Sequence, residues 1–395
     1  MTTDLRPADS QTLRDMVAML ADRKAATEII GAGTKRAVGR PTNAEYLLDL
    51  SKLAGIREYE PNELVMTVGA ATPLWTIESA LESQSQMLAF EPVDYGPLLG
   101  GPAARGTIGG VLAANLSGPR RFKAGAARDH FLGVEAVSGR GEIFKAGGKV
   151  VKNVTGYDMC KLIAGSWGTL SLMSTVTVKV LPAPEDTRTL VLHGQGVDDA
   201  VAAMALALQS PHEISGAAWL PASGETLLRI EGFPESVKAR LGATQALLAG
   251  QGREQFVLDA GESRARWQAI RDVAPLRAPP DRPVWRLSLP PASAPAVWRA
   301  LVGPVGDSGY LDWAGGLLWL AAEPTLADGG AEAIRSTLAA HGGGHATLIR
   351  GSVGLRSGVA VFPPLAPGLE ALQQRIKANF DPNNVLNRGR LGTSA

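Results

Sequence analysis

The sequence predicts an α+β protein in which a glycine-lined ligand-binding domain precedes an α+β cap and a closing tail. Three observations carry that prediction. Residues 100–118, GGPAARGTIGGVLAANLSG, set glycines and small apolar residues around a Thr-Ile-Gly-Gly turn, which lets backbone N–H groups approach a large, flat, anionic ligand with no Cβ in the way. The run Leu181-Pro182-Ala183-Pro184 breaks the chain, and beyond it the order strand, helix, strand, strand, helix occurs twice, as in two ferredoxin-like halves. Two more stretches, GGKVVKNVTGYD at 147–158 and FDPNNVLNRGR at 380–390, read as further walls of the site that 100–118 begins. The domains are therefore expected at 1–185, 186–350 and 351–395.

Taken in order, Ser10 is placed to cap a helix whose Leu13, Met16, Val17 and Leu20 follow i, i+3, i+4, i+7 spacing. A strand at 27–30 runs into the turn GAGTKRAVG at 31–39, and 46–50 is a second apolar strand. Leu64 to Val68 reads as a strand, and Thr72-Pro73 as the cap and first residue of a helix carrying Leu74, Ile77 and Leu81. Strands follow at 131–138 and, by alternation of valine with polar residues, at 175–180. In the second domain, strands are expected at 189–193, 214–220, 226–231, 284–289, 311–313 and 317–321. Helices are expected at 198–209, where Val201, Met204, Ala205 and Leu208 share a face, and at 234–248, 293–302 and 328–341. A last helix at 367–379 leads into FDPNNVLNRGRL.

Composition removes several function classes. The net charge is +1, so bulk charge points to neither nucleic acid nor an anionic membrane surface. With 45% hydrophobic residues among 395, the chain has enough apolar material for two or three cores. From the polar start MTTDLRPADS no signal peptide is expected, and no apolar run reaches the ~18 residues of a membrane span. Cys160 is the sole cysteine, which excludes an internal disulfide and a cysteine-ligated iron–sulfur cluster and reads as a small buried residue in a reducing, cytoplasmic setting.

The turn at 31–39 invites a dinucleotide fingerprint, with Gly31 and Gly33 in place and Asp49 near the position of a ribose-binding acid. The third glycine position holds Arg36, where close helix–strand packing wants Gly or Ala, and Arg-Pro-Thr-Asn after Gly39 does not continue as a helix. What remains is a pyrophosphate loop helped by Lys35 or Arg36, or an ordinary strand–loop connection.

Together, GTIGGVLAANLSGPRR, GGKVVKNVTGYDMCKLIAGSWGTL and FDPNNVLNRGRL resemble the vanillyl-alcohol-oxidase-type, PCMH-type FAD-binding flavoproteins, and within them the FAD-binding subunits of bacterial glycolate oxidases. The resemblance covers about residues 10–185 and the tail; the cap matches only in length and rhythm. It implies a two-subdomain FAD-binding domain, a ferredoxin-like cap, and a C-terminal segment returning to the flavin. It places Gly33, Thr34, Lys35 and Gly39 on the pyrophosphate turn, and Thr107, Gly109, Gly110, Asn115, Ser117 and Gly118 on the flavin loop. Tyr157, Asp158, Gly165, Ser166, Gly168 and Thr169 fall on a later FAD-facing segment, and Asn387 and Arg390 on the closing motif. Each has a plainer reading: Asn115 and Asp158 as caps, Arg390 as a tail charge. Ser171 departs from the glycine common in relatives, and no histidine occupies 31–39, so the FAD is expected to be non-covalent.

Oxidation of a small 2-hydroxy acid needs a carboxylate clamp and a base. Arg286 and Arg350 are clamp candidates, and His130 an ambiguous base for which a hydrogen-bonded structural role is favoured. His341-Gly-Gly-Gly-His345 reads as a turn and not a metal site, because three glycines oppose a helix. A full FAD set beside a thin catalytic set suits the family's organisation. The resemblance implies a second FAD-containing catalytic subunit, an iron–sulfur subunit, glycolate as substrate of the complex, and membrane association only through partners. A self-sufficient D-lactate-type dehydrogenase and a non-catalytic FAD-stabilised assembly subunit are the alternatives.

Overall fold

The computed structural model describes residues 2–148, 156–252 and 254–392, and among these the strands form four sheets. Thr3–Leu5, Tyr46–Asp49 and Thr27–Ile30 pair in parallel in that order. The helix Ser10–Asp22 buries Leu13, Val17 and Leu20 in the core that this sheet shares with Val385 and Leu386 of the tail. Its cap is Asp9 and not Ser10: the Asp9 carboxylate accepts from the Thr12 amide at 2.7 Å, leaving the Ser10 hydroxyl to donate to Glu135. An antiparallel sheet follows in the order Ile56–Glu60, Val65–Gly69, Ser171–Lys179, Phe131–Ser138, Ile143–Gly147. The expected valines, Val176 and Val178, are buried in it.

The cap is an eight-stranded sheet made of two βαββαβ halves. The first runs Asp186–His193, helix Val197–Gln209, Gly216–Leu220, Glu225–Gly232, helix Pro234–Leu247, Glu254–Leu258. The second runs Val284–Ser288, helix Ala294–Leu301, Ser308–Asp312, Leu317–Ala321, helix Ala331–Ala340, His345–Arg350. In each half the strands lie in the spatial order fourth, first, third, second, which is the ferredoxin-like arrangement. The halves join edge to edge where Trp219 pairs with Leu311. On the helix Val197–Gln209 the buried face is Val197, Ala200, Val201, Met204 and Ala207, while Leu208 faces solvent. Small alanines let this helix lie close to the sheet, so they define the inner face and not the larger leucine.

The cap is fastened to the first domain by buried charge. Arg229 of the cap donates to both carboxylate oxygens of Glu91 at 2.7 and 3.2 Å, and Arg120 donates to Glu231 of the cap at 2.8 and 3.0 Å. Burial works to raise the Glu231 carboxyl, but Arg229 and Arg120 outweigh it and hold it at about 2; Glu91 is likewise held below its usual range. Around this quartet, the Trp313 indole donates to the Gly118 carbonyl at 3.0 Å and Tyr95 meets Trp319 edge-on. Because both carboxyls are depressed, the seam is fully stabilised above the ordinary glutamate range near 4.5 and weakens as pH falls toward about 2. Replacing Glu91 by Ala leaves two buried guanidinium groups short of a partner, and urea unfolding at neutral pH should show a loss of about 3–5 kcal/mol; a loss below about 1 kcal/mol, the scale of a surface pair, would mean the quartet does not hold the cap.

Candidate functional site

The turn after Thr27–Ile30 forms one wall of a cleft with about 770 Å³ of empty space, its open mouth included, within the range of ligand pockets. Gly33, Thr34 and Lys35 line it from this turn. A second pocket abuts it, sharing Ala32, Gly33, Thr34 and Arg36 and reaching Gly101 and Arg105. Arg36 is engaged by Glu28, at 2.6 and 2.9 Å, and this hydrogen-bonded pairing raises its guanidinium further. Among the described residues the Lys35 ammonium hydrogen-bonds to the Thr34 hydroxyl, at 3.2 Å, and makes no ion pair, and burial pushes it down to about 8. It is the cation in this wall that is available to an incoming anion.

The opposite wall is the helix Ile108–Ala114, capped by Thr107, whose hydroxyl accepts from the Gly110 amide at 3.3 Å. Thr107, Gly109, Gly110 and Ala113 line the cleft. Gly109 is required by packing: its amide donates to the Ala70 carbonyl at 2.8 Å, and a Cβ there would lie 2.7 Å from that same oxygen.

The third wall is assembled from distant sequence. Asp381, almost fully buried, accepts from the Val385 and Leu386 amides and bends the tail back. The tail then runs beside Thr27, exchanging backbone hydrogen bonds with it. Asn387 accepts from the Ile29 amide at 3.0 Å and donates to the Trp167 carbonyl at 2.8 Å. Gly168, in the left-handed region at φ +70°, leaves room for that amide; a Cβ would sit 2.9 Å from the Asn387 nitrogen. Trp167, Gly168, Ser171, Leu172, Met173, Asn387 and Arg390 complete the lining.

The other residues expected in the site support it from outside the lining. Gly39 packs against Arg390, whose guanidinium donates to the Val38 carbonyl. Asn115 accepts from the Arg128 amide and Ser117 from the Ala127 amide. Gly118 sits under Glu91 at the seam with the cap. Asp158 caps the helix Met159–Ile163, accepting from Lys161, and Tyr157 is 92% exposed. Gly165 and Ser166 form the bend before Trp167, and the Thr169 hydroxyl donates to the Ser166 carbonyl. Residues 149–155 of the expected wall at 147–158 lie outside the described residues. Reading the sequence missed Trp167 and the Ile29–Ile30 edge as lining and noted Ser171 only as a departure from glycine; the motif Gly-Ser-Trp-Gly-Thr at 165–169 was the available signal for Trp167.

The substrate candidates separate. Arg350 donates to the carbonyls of Arg282, Arg277, Pro279 and Leu98, a structural engagement. His130 is buried, bonded to the Ala124 carbonyl, and burial lowers its imidazole. Arg286 lies over the Trp313 ring. His341 ends the helix Ala331–Ala340 and His345 begins the next strand, with a glycine turn between them.

The architecture defines a class: a two-subdomain cofactor-binding domain, completed by its own C-terminus and covered by a ferredoxin-like cap. A family model described as an FAD binding domain matches residues 3–147. The chain is 35% identical over 389 residues to glycolate oxidase subunit GlcE of Escherichia coli (strain K12), covering 98% of this chain and 99% of that protein. It is 30% identical over 248 residues to glycolate oxidase subunit GlcD of Bacillus subtilis (strain 168), covering 60% and 50% respectively. Among solved structures, 4-ethylphenol oxidase from Gulosibacter chungangensis, in its isoeugenol complex, matches with a TM-score of 0.73 at 13% identity, covering 98% of this chain and 88% of that one, a likeness of fold. The chain belongs to the family of glycolate oxidase subunit GlcE, and its cofactor is FAD.

The residues present fit that group. Ser171 Oγ and Arg390 Nε are buried in the cleft lining without a hydrogen-bond partner among the described residues, Lys35 would supply a cation for a pyrophosphate, and Trp167 and Met173 would supply apolar surface for rings. Two outcomes follow. Gly109→Ala forces the helix off Ala70, an overpacking cost of about 1–3 kcal/mol, and should weaken FAD binding about tenfold in fluorescence titrations of the apoprotein. Affinity should also fall as pH rises through about 8, where Lys35 loses its proton, and Lys35→Met should remove this dependence; a flat profile in the parent chain would contradict the role given to Lys35.

Proposed function

We propose that this chain is the FAD-bearing subunit of a glycolate-oxidising complex and holds its FAD non-covalently. The observation that carries the reading is the end-to-end similarity to glycolate oxidase subunit GlcE. The site's composition supports it. Cofactor donors are plentiful, whereas Arg350 and His130 are engaged by backbone carbonyls. When bound, the flavin supplies a two-electron acceptor. This chain's own part is to bind and orient: Lys35 beside the phosphates, Gly109 and Gly110 giving close approach, Asn387 and Arg390 closing the third wall.

Conversion of glycolate to glyoxylate releases two electrons and two protons, and the electrons need an exit. Cys160 is the sole cysteine and is buried, so a cysteine-ligated iron–sulfur relay belongs to another chain. We place the catalytic centre in a second FAD-containing subunit, with an iron–sulfur subunit as acceptor and the assembly in the cytoplasm. Among the described residues no helix is long and apolar enough to cross a membrane, so contact with one would come through the partners. The helix Pro367–Phe380 buries none of its residues, and Leu369 and Leu372, with Leu365 just before it, form an exposed stripe one helical face wide. That stripe fits the second flavin subunit. Replacing the three leucines by Ser should abolish co-purification with that subunit while FAD content stays unchanged; undiminished co-purification would move the interface elsewhere.

Anaerobic mixing tests the function itself. Glycolate should leave the visible flavin absorbance of the isolated chain unchanged and bleach it in the reconstituted complex. Bleaching of the isolated chain by glycolate or D-lactate would instead make it a self-sufficient dehydrogenase. Flavin that stays oxidised while the complex turns over would make the cofactor structural.

A further inference from the structure

Two arginines at the seam between the FAD domain and the cap stand apart from their neighbours. Arg121, from the short helix Arg121–Ala124, and Arg286, from the cap strand Val284–Ser288, both lie over the ring of Trp313, at 4.5 and 5.0 Å from its centroid. Both are half-buried. Neither guanidinium makes a hydrogen bond or ion pair among the described residues. The surrounding arginines do: Arg120 with Glu231, Arg229 with Glu91, Arg271 with Asp272, Arg282 with Asp307 and Glu323. Burial first, and then the neighbouring Arg286 charge, lower the Arg121 guanidinium, while Asp129 acts in the opposite direction.

Trp313 is held for this purpose by more than packing. It and Ala314 both adopt left-handed backbone, at φ 51° and 54°, with Gly315 following at 96°. Such conformations are strained for residues with a Cβ and concentrate at binding sites. The indole donates to the Gly118 carbonyl at 3.0 Å, and the Trp313 amide to the Asp312 carboxylate at 2.7 Å. The carboxylates nearby are poor counter-ions. Glu91 is held by Arg229 and Arg120, and burial pushes Asp312 up to about 7, so near neutrality it carries only part of a charge.

We propose that Arg121 and Arg286, clamped on Trp313, form a seat for the carboxylate of a small organic acid. Guanidinium groups match a carboxylate with paired, charge-assisted hydrogen bonds, and an anion between them relieves their repulsion. The seat is tied to the cofactor cleft by one continuous segment, the helix Ile108–Ala114 and the turn after it: Thr107, Gly109 and Gly110 line the cleft, and Gly118 receives Trp313. The choice of acid rests on the functional reading above, which makes it glycolate or its product glyoxylate. The seat brings that carboxylate to the domain seam of this chain in addition to whatever the partner subunit binds.

The test is calorimetric titration of the full, FAD-loaded chain with glycolate, and with oxalate as a non-reacting dicarboxylate probe. The parent chain should bind both. Arg121→Gln and Arg286→Gln should each weaken binding about tenfold, the scale of one charge-assisted contact, and the double variant should bind neither. Flavin content should match the parent, Arg121→Lys should recover part of the loss, and Arg128→Gln, on an exposed neighbour, should bind as the parent does. Absence of binding to the parent chain, or variants binding within about twofold of it, overturns the seat. Should Arg286→Gln lose flavin, Arg121→Gln alone decides. Glycolate turnover by the reconstituted complex, followed in parallel, separates the two claims. Turnover with no binding at the arginines sinks the seat alone, and arginine-dependent oxalate binding with no glycolate turnover sinks the functional reading alone.

Discussion

The quartet Glu91, Arg120, Arg229 and Glu231 is the constraint on which the rest of the molecule depends. It crosses the boundary between the FAD domain and the cap twice in opposite senses, one arginine and one carboxylate coming from each side. Such pairs contribute less to stability than their number suggests, because desolvation offsets most of the attraction. Their effect is on geometry. Glu91 itself sits at φ 50°, and its carboxylate accepts from the Arg120 amide while its backbone lies under Gly118. The end of the glycine loop is thereby fixed against the cap, and Trp313 is fixed against the loop.

The cofactor cleft depends on that loop at one end and on the chain terminus at the other. Asn387 joins Ile29 to Trp167 across 358 and 220 positions of sequence respectively. Lys377 reinforces the closure by donating to the Thr169 and Leu386 carbonyls, with Asp381 as its ion partner. A binding wall built from residues so far apart forms only when the whole domain has folded. The cleft we propose for FAD is therefore a product of the global fold and not of any one motif.

This explains which parts were legible in the sequence. The glycines at 109 and 168 could be read as close approaches because glycine is the only residue that permits them, and both are tight in the structure. The two ferredoxin-like halves were visible as a repeated order of elements, although Glu254–Leu258 was not, since its Glu254, Phe256 and Val257 all face solvent and blur the alternation. Polar residues were harder. Asn115, Ser117 and Asp158 have the right chemistry to touch a cofactor, and the same chemistry lets each satisfy a nearby backbone amide instead. Arg350 and Arg286 look alike in sequence, both carried by cap strands; only the fold reveals that one is surrounded by carbonyls and the other lies over a tryptophan face.

The central claim is that four separated segments enclose one FAD. Hydrogen–deuterium exchange of the apoprotein, with and without FAD, tests it directly. Residues 31–36, 107–113, 167–173 and 385–390 should gain protection together, at the same FAD concentration. Protection confined to a single segment, or centred on a different part of the chain, would contradict the account.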